Sequence, residues 1–248
     1  MQLLKSDITR SAGPLQACAG HRGGVEAAVH AMKKVFEDPN TEAVLLVDAS
    51  NAFNNMNRKT ALHNMQVTCP EMATYLINTY RSPPSLYVAN SNGVEILSEE
   101  GCTQGDNAGM AFYSCNTVPL ITSLHITVQN VKQAWFADDS AAAGKLSGIK
   151  KWWDTLNENG PPMGYLPKAS KTWLVLKNRN TTEEAMRIFG DTGVNITTFG
   201  KKHLGACLGS TASKEEFVSQ KVKDWVNQLE TLSLLAETDP HAAYAAFT

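Results

Sequence analysis

No stretch of the chain approaches the ~18 consecutive apolar residues of a membrane-spanning helix, so a transmembrane protein is not expected. The first residues, Met1-Gln2-Leu3-Leu4-Lys5-Ser6-Asp7, carry no hydrophobic signal core, which argues against secretion. Paired cysteines are lacking too. Cys18, Cys69, Cys102, Cys115 and Cys207 are odd in number, widely spaced and without a CxxC pair, and read as reduced thiols of an intracellular protein. Nor is there a surplus of positive charge. With 22 Lys and Arg against 24 Asp and Glu the net charge is −2, without the basic footprint of a nucleic-acid-binding domain. A nucleic-acid ligand would need basic residues gathered on one face or supplied from outside this chain. Internal repeats and low-complexity tracts are absent. What remains is a chain of 248 residues, 43% hydrophobic and 19% charged, long enough for one large domain or a core domain with a small companion.

Residues 1–22 are punctuated by Gly and Ala with weak periodicity and read as irregular. Val25, Ala28, Val29, Met32, Val35 and Phe36 fall at helical spacing, and Asp38-Pro39-Asn40 ends that helix. Residues 43–47 are apolar without interruption, the mark of a strand buried on both faces, and end at Asp48. Asn57 can cap a helix from Arg58, and Pro70 opens another that reaches Tyr80. Segments 85–89 and 94–97 flank Asn90-Ser91-Asn92-Gly93, a hairpin signal. A glycine-bearing loop over 101–109 leads to an apolar helix ending near Leu124, in which Pro119 predicts a kink. Later come an amphipathic helix through Leu146, Ile149, Trp152, Trp153 and Leu156, a strand over 172–176, a short helix over 183–189 and a small hairpin over 203–209. A long helix carries Phe217, Val218, Val222, Trp225, Val226, Leu229, Leu232 and Leu235 at helical spacing; its Trp225, like Trp152 and Trp153, reads as packing. Strands and helices mixed in this way predict an α+β layer fold, a largely antiparallel sheet flanked by helices.

The chemistry centres on Phe136-Ala137-Asp138-Asp139, which follows an apolar run and is followed by small residues. This places two carboxylates at the tip of a tight hairpin. Straight strands point successive side chains to opposite faces, so only a turn lets both aim at one region. Carboxylates directly after a Trp-Phe-Ala run are costly to desolvate without a cation. Taken alone, an Asp-Asp pair is also consistent with a solvated turn, and Asp48 with a helix or turn cap. If the strands carrying Asp48 and the hairpin are neighbours, three hard oxygen donors converge, a set suited to Mg²⁺ or Mn²⁺.

These residues carry a resemblance. Val47-Asp48-Ala49-Ser50-Asn51-Ala52-Phe53-Asn54 resembles the first palm motif of reverse transcriptases, and Gly101-Cys102-Thr103-Gln104-Gly105-Asp106 their Gln-Gly-Asp motif. Phe136-Ala137-Asp138-Asp139 resembles their aromatic-Ala-Asp-Asp motif. Gly164-Tyr165 through Ala169-Ser170-Lys171-Thr172 looks like the next motif, and His203-Leu204-Gly205 like the primer-grip hairpin. All five stand in the family's order over roughly residues 40–210, which makes coincidence an inadequate account.

The resemblance implies a retroelement reverse transcriptase, an RNA-directed DNA polymerase. It implies partial fingers over 1–40, a palm with its primer-grip hairpin over 41–210 and the start of a helical thumb over 211–248. Asp48, Asp138 and Asp139 would be the catalytic acids, holding two Mg²⁺ ions with the Ala49 carbonyl; Mn²⁺ would substitute. Ala52, Phe53, Gln104, Gly105 and Lys171 would border the nucleotide, with Phe53 crowding the sugar 2′-hydroxyl and so favouring dNTPs. His203, Leu204 and Gly205 would support the primer. The implied partners are an RNA template, a DNA or RNA primer and dNTPs, with no membrane. The chain departs from the pattern at Asn107, where many relatives have Pro, and at Asn54, where a second Asp is frequent. Basic finger strands and any endonuclease, ribonuclease H or zinc-knuckle pattern are missing, which implies a piece of a longer element-encoded polyprotein. The alternatives are an inactive remnant that serves as an RNA-binding or structural module, and a metal-dependent nuclease using the same carboxylates.

Overall fold

Uninterrupted burial is what makes residues Ala43–Val47 (β1) the centre of the sheet: all five side chains are covered, as a strand with neighbours on both edges and layers on both faces requires. The computed structural model describes residues 4–90 and 93–248. Ahead of β1 lie helices α1 (Lys5–Ala12) and α2 (Gly24–Glu37). After it come α3 (Ala52–Asn55), α4 (Arg58–Thr68), α5 (Pro70–Tyr80) and the ribbon β2 (Ser85–Tyr87) and β3 (Glu95–Leu97). The apolar helix α6 (Gly109–Thr127) precedes the hairpin β4 (Lys132–Phe136) and β5 (Asp139–Gly144), then α7 (Leu146–Asn159), β6 (Trp173–Leu176), α8 (Thr182–Phe189) and β7 (Asn195–Thr197). The chain continues through β8 (Gly200–His203), β9 (Ala206–Gly209), α9 (Thr211–Thr238) and α10 (Pro240–Phe247).

The main sheet runs β4-β5-β1-β6-β7. Its pairs are antiparallel except β6 with β7, which is parallel. Small residues make this possible, since Ala141, Ala142 and Ala143 lie across from Leu46, Leu45 and Val44 and leave room for the covering helices. Helix α2 packs on β4 and β5, and α7 on β5 and β1; α6 lies against α7 and α4. Trp135 and Trp152 are fully buried, and both indole N–H groups donate to Gln133 Oε1 at 3.0 Å, while Gln133 Nε2 donates to the Ile121 carbonyl. One buried carboxamide thus satisfies two tryptophans and a carbonyl of α6.

The caps behave as expected at Asn57, whose side chain accepts from the Thr60 N–H at 2.8 Å, and Pro70 opens α5. Pro119 lies inside α6. Elsewhere the structure departs from expectation. Residues 5–12 are helical rather than irregular, held by only two buried side chains, Ile8 and Ala12, too few to give a periodic signal. The edge strand β7, half-exposed at every position, was not expected either. Ser91 and Asn92, in the expected turn between β2 and β3, lie outside the described residues.

The chain divides into two compact units, one running to Thr198 and the other Phe199–Thr248. The hairpin grouped by resemblance with residues 41–210 therefore belongs to the second unit. In it Leu204 (φ +48°) and Gly205 (φ +82°) form a two-residue turn with both residues left-handed, the type I′ geometry that matches strand twist. Trp225 is not a packing residue: it is 59% exposed, and Val218, Val222, Val226 and Leu229 are exposed beside it on α9.

His203 is buried, and burial lowers its pKa to about 4. Its folded pKa lies below the ordinary value of 6.5, so the neutral ring's contribution is complete above pH ~6.5 and is lost as pH falls toward 4. The hairpin is expected to lose roughly 3 kcal/mol of stability across that window. Amide exchange of β8 and β9 from pH 7 to 4 checks this, and His203→Gln should flatten the dependence; an equal slope in the variant rules it out.

Candidate functional site

Register brings the carboxylates together. β1 and β5 pair as far as Val47 with Ser140, so one step further sets Asp48 across from Asp139, with Asp138 beside it at the hairpin tip. The electrostatics record the convergence. Burial raises the Asp139 carboxyl to about 6, with the charges of Asp138 and Asp48 adding to the shift; the Asp138 carboxyl is also raised, by burial first and then by Asp48. Two partly desolvated carboxylates, each pushed up by burial and by the neighbouring charge of Asp48, form with it a site with affinity for positive charge.

One cation is already present. Lys171 Nζ stands 3.5 Å from Asp48 Oδ1, with both side chains about half exposed. Backbone pairing carries it there: Lys168 N–H donates to the Asp48 carbonyl at 2.9 Å, Ser50 N–H donates to the Leu166 carbonyl at 2.8 Å, and Ala49 bridges to Pro167. The segment containing the fourth motif is thereby strung along the end of β1.

Ala52 is buried at the start of α3. Phe53 follows, and its ring stacks on Tyr113 of α6 with centroids 4.4 Å apart. Tyr113 is the buried polar side chain that lacks a hydrogen-bond partner among the described residues, its hydroxyl enclosed near Asp138. Gln104 and Gly105 are exposed at the crest of a turn closed by the Asp106 N–H and the Thr103 carbonyl, in which Gly105 (φ +92°) takes the left-handed third position of a type II turn. Asp106 serves structure: it accepts from the Tyr80 hydroxyl and, at 2.8 Å, from the Ala108 N–H at the entrance to α6.

The loop docks next to Phe53 because Gly101 has no side chain. Gly101 N–H donates to the Met56 carbonyl and Cys102 N–H to the Phe53 carbonyl, and a Cβ on Gly101 would stand 2.4 Å from the Phe53 oxygen. Arg58 completes the docking from below. Its buried guanidinium donates to the carbonyls of Ser98, Glu100 and Gly101 at 2.6–3.0 Å and lies 5.5 Å from the Tyr80 ring centroid. Asp48, Ala49, Ala52, Phe53, Gln104, Gly105, Asp138, Asp139 and Lys171 thus all belong to the first unit. His203, Leu204 and Gly205 belong to the second, where His203 is buried, Leu204 half-buried and Gly205 exposed at the turn.

Neither a protein-family model nor a curated protein sequence matches this chain. Solved structures do. Telomerase from Candida albicans in complex with a TWJ fragment of telomeric RNA matches 73% of this chain at 12% identity with a TM-score of 0.53. Apo telomerase from Candida tropicalis matches 84% at 10% identity with a TM-score of 0.56. Telomerase is a relative of reverse transcriptases. The fold is reverse-transcriptase-like. The chain spans 35% and 37% of the length of those two proteins, and at such identity the likeness concerns fold alone.

Within this reverse-transcriptase-like fold the donor set suits a hard divalent cation in kind, being carboxylate oxygens that repel one another in a partly dry site. Among the described residues, however, no group of three or more His, Cys, Asp or Glu side chains stands ready to hold a metal ion. Sequence reasoning missed the groups that support the site: Gln16, which hydrogen-bonds the Ala137 backbone, and Tyr165, which donates to the Asp138 carbonyl, Arg58 under the Gln-Gly-Asp loop and Tyr113 behind Phe53. All act across long sequence separations and leave no local signal. The five cysteines are free thiols, and burial raises Cys102 and Cys115 to about 12, so neither is a nucleophile. No helix among the described residues is long and apolar enough to cross a membrane.

Proposed function

We propose that this chain is the catalytic core of an RNA-directed DNA polymerase, with a palm over 41–210, partial fingers before it and the start of a thumb after it. Supporting this reading is one observation: motifs far apart in sequence, carrying Asp48, Gln104, Asp138 and Lys171, belong to one unit of a reverse-transcriptase-like fold whose hairpin register sets Asp139 across from Asp48. The retroelement origin rests on motif resemblance alone.

In this account Asp48 and Asp138, with Asp139 and the Ala49 carbonyl, would hold two Mg²⁺ ions, which Mn²⁺ would replace. When bound, the ions supply a more acidic primer 3′-hydroxyl and neutralisation for the leaving pyrophosphate. The chain's own groups do the rest. Lys171, released from Asp48, turns its ammonium to the pyrophosphate. Gln104 and Gly105 border the base, where the absence of a Cβ permits close backbone approach. The Leu204–Gly205 backbone supports the primer strand, and template contacts are to backbone and shape, as a polymerase of any sequence requires.

Phe53, wedged by its stack on Tyr113, crowds the 2′ position of the incoming sugar. Phe53→Val should raise the use of ribonucleotides relative to deoxynucleotides by ~10-fold or more, read as the ratio of kcat/KM values; an unchanged ratio removes Phe53 from sugar selection.

Primer extension on an RNA template with dNTPs and Mg²⁺ tests the function, using the chain as given and with flanking sequence restored. Incorporation by either supports it. A second reading, a folded remnant that binds nucleic acid without catalysis, is favoured by the absence of a ready three-ligand group among the described residues. Silence of both proteins with RNA binding retained selects that reading.

A further inference from the structure

The hairpin that carries Asp138 and Asp139 is closed by a two-residue turn, Ala137 and Asp138, between the last paired residues Phe136 and Asp139. Its first residue has φ +53°, a left-handed conformation at which such turns ordinarily place Gly or Asn. An alanine there must be held by its surroundings.

The holder comes from residues that the sequence presented as irregular. Gln16 is fully buried. Its Oε1 accepts from the Ala137 N–H at 2.9 Å and its Nε2 donates to the Ala137 carbonyl at 3.0 Å, so one side-chain amide pairs with both backbone groups of the strained residue. Nε2 also donates to Thr117 Oγ1 at 3.0 Å, whose own proton goes to the Ser114 carbonyl, and this ties the amide to α6. The reverse amide orientation would set NH₂ against the Ala137 N–H. The Gln16 backbone is locked as well, because Trp135 N–H donates to the Leu15 carbonyl and Ala17 N–H to the Trp135 carbonyl, both at 2.8 Å.

On the other side of Asp138, the buried Tyr165 hydroxyl donates to the Asp138 carbonyl at 2.8 Å and lies 3.0 Å from Ser140 Oγ. The two peptide planes that flank Asp138 are therefore each gripped. The 137–138 plane sets its φ and the 138–139 plane its ψ, and together they fix the direction of the Cα–Cβ bond.

We propose that Gln16 is a positioning residue: its buried carboxamide holds the 137–138 peptide and so aims the Asp138 carboxylate. That this aim serves a metal rests on the polymerase reading above. The grip itself does not.

Gln16→Met tests it, since Met keeps the volume and apolar packing of the site while removing all three hydrogen bonds. Three readouts are taken on the full chain: exchange of the Ala137 amide, the three-bond amide–Hα coupling of Asp138, which reports its φ, and Mn²⁺ affinity by calorimetry. The expected result is ~100-fold faster exchange, an averaged coupling and ~10-fold weaker Mn²⁺ binding. Adding Ala137→Gly, which adopts positive φ without strain, should recover most of the Mn²⁺ affinity without restoring protection of residue 137. A role in packing alone would give no such recovery. An unchanged Asp138 coupling in Gln16→Met overturns the proposal, as does unchanged Mn²⁺ affinity where the coupling has averaged. If the unaltered chain binds no Mn²⁺, the metal reading fails, and exchange and coupling decide the positioning claim by themselves.

Discussion

On the polymerase reading proposed above, Asp138→Asn is expected to lower RNA-templated primer extension by whichever protein shows it, the chain as given or with flanking sequence restored, by about three orders of magnitude and to leave the unfolding temperature unchanged or raised. The two effects separate because the Asp138 carboxylate does little for the fold. The bonds that hold the hairpin go to the Ala137 backbone from Gln16 and to the Asp138 carbonyl from Tyr165, and an Asn side chain disturbs neither. The raised pKa of Asp138 shows that its charged form is disfavoured in the folded state, by burial and by Asp48. An uncharged isostere relieves that repulsion, the familiar trade in which a functional group destabilises the site that contains it. Activity within ~10-fold of the unaltered protein would remove Asp138 from the chemistry. A large fall in melting temperature would show the carboxylate to be structural.

Arg58→Met should cost roughly 3–5 kcal/mol of stability, about ten degrees of melting temperature for a unit of this size. The guanidinium is buried and makes four hydrogen bonds, to the carbonyls of Ser98, Glu100 and Gly101 and to the Ser98 hydroxyl. Met fills the space yet removes the donors of those carbonyls, of which that of Gly101 is buried and those of Ser98 and Glu100 partly so, and the lost bonds account for most of the cost. Because the same loop continues into Gln104 and Gly105, amide exchange over 98–106 should accelerate more than exchange in β1 or β5. Thermal unfolding with exchange mapping checks both statements. A uniform change across the first unit would mean that Arg58 supports the core generally and not this loop.

The parts of the structure that could be read in advance are those whose causes are local. The run at 43–47 announces a covered strand because every position is apolar. Asn57 and Pro70 mark helix starts by chemistry that acts within one turn, and the Phe136-to-Asp139 hairpin is visible from the polar tip between apolar and small residues. Long-range support is where local reasoning ended. Gln16 reaches a residue 121 positions away and Arg58 a loop about 40 positions on, so neither spacing nor composition marks them. Tyr165 lies within the fourth motif, where nothing in the sequence marks it as the prop of the Asp138 carbonyl. Trp225 misled because helical spacing identifies an apolar face but not what covers it. In the candidate site, the acids were legible as a motif, whereas the Lys171–Asp48 contact follows from pairing between 48–50 and 166–168 that no sequence pattern declares.

The measurement that tests the central claim most directly is a Mn²⁺ titration of the chain, compared with Asp48→Asn and Asp138→Asn, because it interrogates the carboxylates without requiring the rest of a polymerase. The account predicts saturable binding that each substitution weakens by ~10-fold or more, with the fold intact by circular dichroism. Equal binding in all three proteins, or none in the unaltered chain, would contradict it.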